Sequence, residues 1–252
     1  DKEMIDVMVN GCNGKMGQIV CDLVDKNPNM ILKCGADKVD TGYFTYQVYT
    51  NLDKIPEKPD VIIDFSIPVA TFGVLEYAKK NNVPVVIATT GFTGEEEKKI
   101  VEYSNYIPVF KSANMSLGIN TLMELLKKAA TVFAPAGFDM EIVEKHHNQK
   151  LDAPSGTALA LADSMNDALE DAYTYKYDRS QERKKRDKYE IGISAVRGGN
   201  IVGEHEVIFA GQDEVIEFKH TAYSKAVFAK GAVEAAKFLN GKGAGHYDMA
   251  DV

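Results

Sequence analysis

The densest set of groups able to move protons or hold charge lies between Glu141 and Thr157, where two adjacent histidines, His146 and His147, are followed closely by Lys150, Asp152 and Ser155. Histidine exchanges a proton near neutral pH. Lysine supplies a fixed positive charge or, where desolvated, a second proton. Met140 and Ile142 alternate with Glu141 and Val143, which predicts a strand with one apolar face. Past His146-His147 the pattern changes to Asp152-Ala153-Pro154 and then Ser155-Gly156-Thr157, where a helix opens. The N–H groups of a helix start attract anions. Proton donors beside an anion cradle suit an acidic small molecule that must gain a proton. Singly, each feature has a plain explanation, a solvated His-His loop or an ordinary helix start; their concentration in one strand–loop–helix points to chemistry.

A second constellation lies near the N-terminus. The short apolar run Met4 to Val9 leads into Asn10-Gly11-Cys12-Asn13-Gly14-Lys15-Met16-Gly17 and then into a helical stretch marked by Ile19, Val20, Leu23 and Val24. Strand, glycine turn and helix form the context of a dinucleotide fingerprint, in which glycines let the backbone approach a pyrophosphate resting on the helix start. The spacing is Gly-x-x-Gly-x-x-Gly rather than the commoner Gly-x-Gly-x-x-Gly, and alone a structural glycine turn explains it equally well. The following strand-like run, Met30 to Cys34, ends at Gly35-Ala36-Asp37-Lys38. That places Asp37 about twenty residues past Gly17, where an acid meets the adenosine ribose. The Asp37 carboxylate favours NAD, whereas the Lys38 ammonium, with Lys15, can hold the 2′-phosphate of NADP. The pair implies use of NADH and NADPH with a lean to NADH.

These two constellations need frameworks that hold them. From Val61 to Phe110, apolar runs (Val61–Phe65, Val83–Ala88, Ile107–Phe110) alternate with helical stretches beginning at Pro68 and Gly94. Alternation of this kind implies a parallel sheet whose ligands bind beyond the C-terminal strand ends. Gly11, Asp37, Phe65-Ser66, Thr89-Thr90 and Ser112-Ala113-Asn114-Met115 are therefore expected to line one cleft. Val39 to Pro59 reads as edge strand or loop. From Ser116 the rhythm changes: a long helix through Leu117, Leu122 and Leu126, the strand and helix of the first constellation, and three further strand signals, Tyr189–Val196, His205–Ala210 and Val215–Ala222. Gly211 to Glu214 joins the last two as a hairpin. The expected fold is α/β, an N-terminal Rossmann-like parallel sheet plus a C-terminal α+β domain with a mixed or antiparallel sheet. The cofactor domain takes residues 1–116 and 225–252, and the substrate domain takes 117–224. A polar run from Tyr173 to Lys188, with Arg179, Arg183, Lys184, Lys185 and Arg186, reads as a solvated loop, and Gly241 to Gly245 as a flexible tail after which Tyr247-Asp248-Met249 is expected to dock. Hinges are expected at Ser116 to Gly118 and Tyr223 to Lys225.

Composition narrows the partners. A net charge of -8 over 252 residues disfavours nucleic acid and anionic membrane surfaces. No apolar run reaches the length of a membrane span. Asp1-Lys2-Glu3-Met4 carries no apolar signal region, so the expectation is a cytoplasmic protein. Cys12, Cys21 and Cys34 lack CxxC spacing and read as reduced thiols, with no metal site expected.

The motifs together resemble one family, the 4-hydroxy-tetrahydrodipicolinate (dihydrodipicolinate) reductases of bacterial and plant lysine and diaminopimelate biosynthesis. The most specific match runs Glu144-Lys145-His146-His147-Asn148-Gln149-Lys150-Leu151-Asp152-Ala153-Pro154-Ser155-Gly156-Thr157-Ala158, against the signature E-x-H-H-x-x-K-x-D-A-P-S-G-T-A. Gly11 to Gly17, Asp64-Phe65-Ser66, Thr89-Thr90-Gly91-Phe92, Val196 to His205 and Phe228 to Ala232 also fit. The resemblance implies that the first domain binds NAD(P)H through Gly11 to Gly17 (Cys12, Asn13, Lys15 and Met16 included), Asp37, Lys38, Phe65, Ala88, Thr89, Thr90 and Ser112 to Met115. It implies that the second binds a cyclic imine dicarboxylate and builds a homotetramer. It makes His146 the proton donor and Lys150 its partner, with His147, Ser155, Gly156, Thr157 and Lys225 on the substrate. The chain departs from the family where Ala88 replaces a common Gly, and where Lys225, Lys15 and Lys38 stand at frequent Arg positions; lysine cannot make a bidentate fork. The competing readings are an aspartate-type NAD-dependent dehydrogenase and a non-catalytic NAD-binding sensor. The Ser155-Gly156-Thr157 cradle argues against the first, and His146, His147 and Lys150 against the second.

Overall fold

The computed structural model describes residues 4–252; Asp1 to Glu3, read above for the lack of a signal region, lie outside the described residues. The chain divides into two compact units, Asp1–Ser116 with Ala226–Val252, and Leu117–Lys225.

The first unit is built on strands β1 (Ile5–Asn10), β2 (Met30–Ala36), β3 (Val48–Tyr49), β4 (Val61–Asp64), β5 (Val85–Ile87) and β6 (Pro108–Lys111), with a last short strand near the C-terminus, β12 (Gly245–Tyr247). They form one seven-stranded sheet in the order β12-β6-β5-β4-β1-β2-β3, and all its pairings are parallel. Because successive strand residues point to opposite faces, the apolar strands feed two cores. Val7, Val9, Ile63 and Phe110 pack against α1 (Lys15–Lys26) and the C-terminal helix α6 (Ala226–Leu239) through Val20, Val24, Ala232 and Leu239. Met8, Ile62, Val85 and Val109 pack against α2 (Pro68–Asn81) and α3 (Gly94–Tyr103) through Val74, Leu75, Ile100 and Tyr103. The sheet grows outward from β1 through β2 in one direction and from β4 in the other, which puts the topological switch point between β1 and β4.

The tail departs from its sequence reading. Gly245, read as part of a flexible stretch, instead opens β12, which pairs with β6; Tyr247 to Met249 docks as expected, with Met249 buried and its N–H donating to Ser112 Oγ at 2.7 Å. Three residues pairing with a strand far away in sequence leave no local periodicity to read.

The second unit contains α4 (Leu117–Phe133), β7 (Asp139–His146), α5 (Gly156–Ala168), β8 (Thr174–Lys176), β9 (Glu190–Arg197), β10 (Gly203–Ala210) and β11 (Val215–Ala222). Its five-stranded sheet has the order β11-β10-β7-β9-β8 and is mixed, with β7, β9 and β8 parallel to one another and β10 antiparallel to both β7 and β11. Helices α4 and α5 share a core with one face through Leu122, Leu126, Leu161 and Met165 against Met140, Ile142, Val207 and Phe209. The run Tyr173 to Lys188 is not simply a solvated loop. It contains β8, and two of its arginines fold onto the sheet. Arg179 pairs with Glu190 at 2.6 Å and with Glu141 at 3.0 Å, and Arg186 donates to the Met140 and Glu190 carbonyls at 2.7 and 2.6 Å. Glu141 accepts in turn from the Gly192 N–H at 2.7 Å, and a side chain at residue 192 would push that carboxylate aside. Arg183, Lys184, Lys185 and Lys188 are exposed, while Lys176 is half-buried and pairs with Glu182 at 3.2 Å.

Candidate functional site

The first unit carries a cavity of about 640 Å³ at the switch point, bounded by the glycine turn, Asp37, Lys38, Phe65 and Ser66. The turn is shaped by close backbone approach. Gly11 has φ +82, and a Cβ there would lie 2.0 Å from the Phe65 carbonyl oxygen; a Cβ on Gly17 would lie 2.0 Å from the Gly11 carbonyl. Gly14 is different. A Cβ there meets nothing nearer than 3.4 Å, and the residue is exposed at the cavity edge as the N-cap of α1. That helix start has no side-chain cap and no acidic residue in its first turn, whereas α3 opens with a Thr93–Glu96 capping box and three glutamates. The start of α1 therefore keeps the positive end of its dipole for an anion. Asp37 stands at the end of β2 and fixes the turn: Oδ2 accepts from the Asn13 N–H at 2.9 Å and Oδ1 from the Lys38 N–H at 2.7 Å. This set of glycines, helix start and acid fits the pyrophosphate and ribose of a dinucleotide.

The floor is a buried carboxylate. Asp64 is wholly shielded from solvent at the end of β4. It accepts from Asn10 Nδ2 at 2.9 Å, Ser66 Oγ at 2.5 Å, Thr71 Oγ1 at 2.6 Å and Thr89 Oγ1 at 2.9 Å. Burial pushes its pKa up, against these four hydrogen bonds. The cavity does not join every strand end that the sequence suggested. Thr89 is buried beneath it in the Asp64 network, and Ala88, Thr90 and Ser112 to Met115 lie off its lining; Met115 is buried with its carbonyl facing Gly231 of α6. Cys12 turns its thiol into the core, and burial drives that pKa to about 12, so its part in the turn falls to the backbone. Lys15 is exposed on α1, Met16 packs against the core, and Lys38 is exposed at the rim. Tyr49, Thr50, Leu52 and Ile67, which the sequence reading passed over, complete the wall. Tyr49, Thr50 and Leu52 come from the irregular segment around β3, which has no periodicity to flag it, and Ile67 is the residue before α2.

In the second unit, β7 delivers His146 at its last residue and His147 one beyond. Glu144 lies two residues before His146, on the same side of the strand as Met140 and Ile142, and is wholly buried. Its Oε2 meets His146 Nδ1 at 2.5 Å and Arg197 Nη1 at 2.9 Å; its Oε1 accepts from Arg197 Nη2 at 2.7 Å and the Ser155 N–H at 3.1 Å. Burial opposes the charge, but the bonds from Arg197 and His146 outweigh it and hold Glu144 below the usual carboxylate range. Burial lowers the pKa of His146 while Glu144 pulls it back up; Lys150 and Arg197 add to the lowering. Lys150 pairs with Asp152 at 2.9 Å, and His147 Nδ1 accepts from the Gln149 N–H at 3.3 Å. Ser155 caps α5, its Oγ accepting from the Ala158 N–H at 3.1 Å and contacting His205 Nε2 at 2.9 Å. Gly156 and Thr157 form the first turn of that helix. His205 is buried edge-on to His146, with ring centroids 5.1 Å apart; burial and the neighbouring His146 take its pKa down to about 4, so it is a neutral imidazole. Lys225 is exposed at the end of the unit.

Glu144, Arg197 and His205 received no role in the sequence reading, although all three lie inside quoted motifs. The available signal was a carboxylate at an apolar-face position of a strand, which must find a cation. Ligand atoms of Glu144, His146 and His205 all lie within 4.8 Å of one another. The Arg197 guanidinium already engages both oxygens of Glu144, and a second cation there would be repelled, so the donor set is that of an acid–base cluster and not of a metal centre.

Comparison with known proteins bears on both units. Residues 5–115 match the family model described as dihydrodipicolinate reductase, N-terminus, and residues 118–252 match its C-terminus. The chain is 51% identical over 249 residues to the 4-hydroxy-tetrahydrodipicolinate reductase of Caldanaerobacter subterraneus subsp. tengcongensis, covering 99% of this chain and 98% of that one. It is 47% identical to the enzyme of the same name from Clostridium novyi, with the same coverage. Among solved structures, the dipicolinate-bound dihydrodipicolinate reductase from Paenisporosarcina sp. TG-14 superposes with a TM-score of 0.80 at 27% identity, over 98% of each chain.

Proposed function

The chain belongs to the dihydrodipicolinate reductase family, and from that premise we propose how its residues carry out the NAD(P)H-dependent reduction of 4-hydroxy-tetrahydrodipicolinate to tetrahydrodipicolinate. The substrate loses its 4-hydroxyl as water and gains a hydride and a proton. The reduced nicotinamide, when bound, supplies the hydride. The chain supplies the proton, the grip on a substrate carboxylate and the dinucleotide cradle.

His146 is the proton donor, with Nε2 as the reacting nitrogen because Nδ1 is engaged by Glu144. Lys150, close enough to lower the His146 pKa, balances the negative charge of the substrate. His147 and the Ser155-Gly156-Thr157 helix start hold a substrate carboxylate, and Lys225 adds a cation to it. In the other unit, Gly14 and the uncapped start of α1 take the pyrophosphate. Asp37 keeps a second lone pair on each oxygen beyond its two backbone bonds and accepts from the adenosine ribose. Lys38 and Lys15 admit a 2′-phosphate, so both cofactors are used with NADH favoured. Phe65 lines the same cavity, and Ala88, Thr90 and Ser112 to Met115 border the path of the nicotinamide half. The sheet face of the second unit left uncovered by α4 and α5, where Val143 and Ile208 are only half-buried, builds the homotetramer. The three free, buried cysteines suit a reducing cytoplasm.

The observation that carries this reading is one cluster in which a buried acid, a histidine and a capped helix start share hydrogen bonds. Replacing His146 with Ala lowers turnover by at least about 10²-fold, and Lys150→Ala does so heavily too, both with NADH affinity unchanged by titration of the free enzyme. Near-wild-type rates in both variants contradict the assignment.

A further inference from the structure

Glu144 is out of place by ordinary rules. It occupies an apolar-face position of β7, between Ile142 and His146, and no part of it reaches solvent. Burying a charge this completely is costly unless every lone pair is engaged. Here four hydrogen bonds engage it, and they come from three places: the two-pronged Arg197 fork from β9, the His146 ring from β7 itself, and the Ser155 N–H from the start of α5. Arg197 is held too, its Nη2 also donating to the Asp152 carbonyl at 2.7 Å. One carboxylate therefore touches both the histidine and the helix start.

A histidine whose Nδ1 faces an ionised carboxylate carries its proton there, and Nε2 becomes the nitrogen that takes or gives a proton. The Nε2 side of His146 lies over Gly203, where an added Cβ would sit 3.3 Å away, so a side chain at that position would crowd the reacting edge. Resting on the reductase reading above, we propose that Glu144 is the positioning residue of the site: its carboxylate, locked by Arg197, fixes His146 with Nε2 as the proton-exchanging atom and ties that atom in register to the carboxylate-binding start of α5. The other charged or titratable groups facing His146 are Lys150 and Asp152 in the following loop, Arg197 on β9 and His205 on β10, with His220 of β11 opposite His205. Glu144 is the anion in direct contact with the ring.

Glu144→Gln keeps the shape and removes the charge. The expected result is a fall in kcat of roughly 10²-fold, the size of a misaligned general acid, with KM for the imine dicarboxylate raised several-fold. The limb of the kcat/KM pH profile that reports His146 moves to lower pH. NADH affinity stays at the wild-type value, and Glu144→Asp recovers part of the rate. An unchanged pH limb with unchanged kcat overturns the proposal. A second measurement needs no variant: nitrogen NMR of the histidines in the wild-type protein should show neutral His146 protonated on Nδ1. Protonation on Nε2 overturns the proposal whatever the variants do. If wild-type protein fails to turn over the substrate, the reductase reading fails, and the NMR result still decides whether Glu144 fixes the ring.

Discussion

Asp64 and Glu144 are both carboxylates wholly removed from solvent, one in each unit, and the chain treats them in opposite ways. Asp64 receives four hydrogen bonds from neutral donors, Asn10, Ser66, Thr71 and Thr89, and no cation; burial dominates and its pKa rises. Glu144 receives a guanidinium fork, a histidine and one N–H, and its pKa falls against the same burial. The contrast teaches what each unit must do. Around Asp64 the protein ties together the ends of β1, β4 and β5 into a rigid floor, a task that hydroxyls and an amide perform without a net charge. Around Glu144 the proposed chemistry calls for a permanent anion against a histidine that gains and loses a proton, and the Arg197 ion pair is what keeps this acid ionised in so dry a place.

The strongest way to break this contrast is to remove the cation. Arg197→Met leaves Glu144 buried without its partner and should cost about 3–5 kcal/mol in a denaturant titration, while no single donor to Asp64 carries a comparable loss. Next, Asp64→Asn should cost about 1–3 kcal/mol, since some hydroxyls lose their acceptor. The pH dependence then sharpens the comparison through its sign. Asp64, raised in the folded state, contributes stability that is full below its ordinary pKa of 3.8 and is lost as pH rises from there. Glu144, lowered in the folded state, contributes stability that is full above its ordinary 4.5 and is lost as pH falls below it. Stability curves of Asp64→Asn and Glu144→Gln relative to wild type should therefore slope in opposite directions in the acid range; parallel slopes would refute the distinction. Within the cofactor unit, Gly11→Ala drives a Cβ into the Phe65 carbonyl and should destabilise by roughly 1–3 kcal/mol, whereas Gly14→Ala folds normally and raises KM for NADH. The smallest effect is expected at the half-exposed Arg179; Arg179→Gln should shift stability by less than about 1 kcal/mol, measured by thermal melting.

Much of this was legible before any coordinates. The alternation of apolar strands and helices up to Phe110 fixed the parallel sheet, and the change of rhythm after Ser116 fixed the second, mixed one. Both are local, periodic signals. What escaped was non-local. The strands β8 and β12 have three residues each and exist because distant partners pair with them. Arg186 reads as one charge among several until β7 and β9 arrive beneath it. Glu144 and Arg197 lie 53 residues apart, so nothing in either segment announces the pair. The signature from Glu144 to Ala158 could nominate His146 and Ser155 as site residues, but it could not show that one carboxylate holds both.

The central claim is tested most directly by following the absorbance of reduced nicotinamide in the purified protein with freshly generated 4-hydroxy-tetrahydrodipicolinate, with NADH and NADPH in separate cuvettes. The account predicts oxidation of both, faster with NADH, and loss of that oxidation in the His146→Ala variant. Folded protein that binds NADH and oxidises neither cofactor would contradict it.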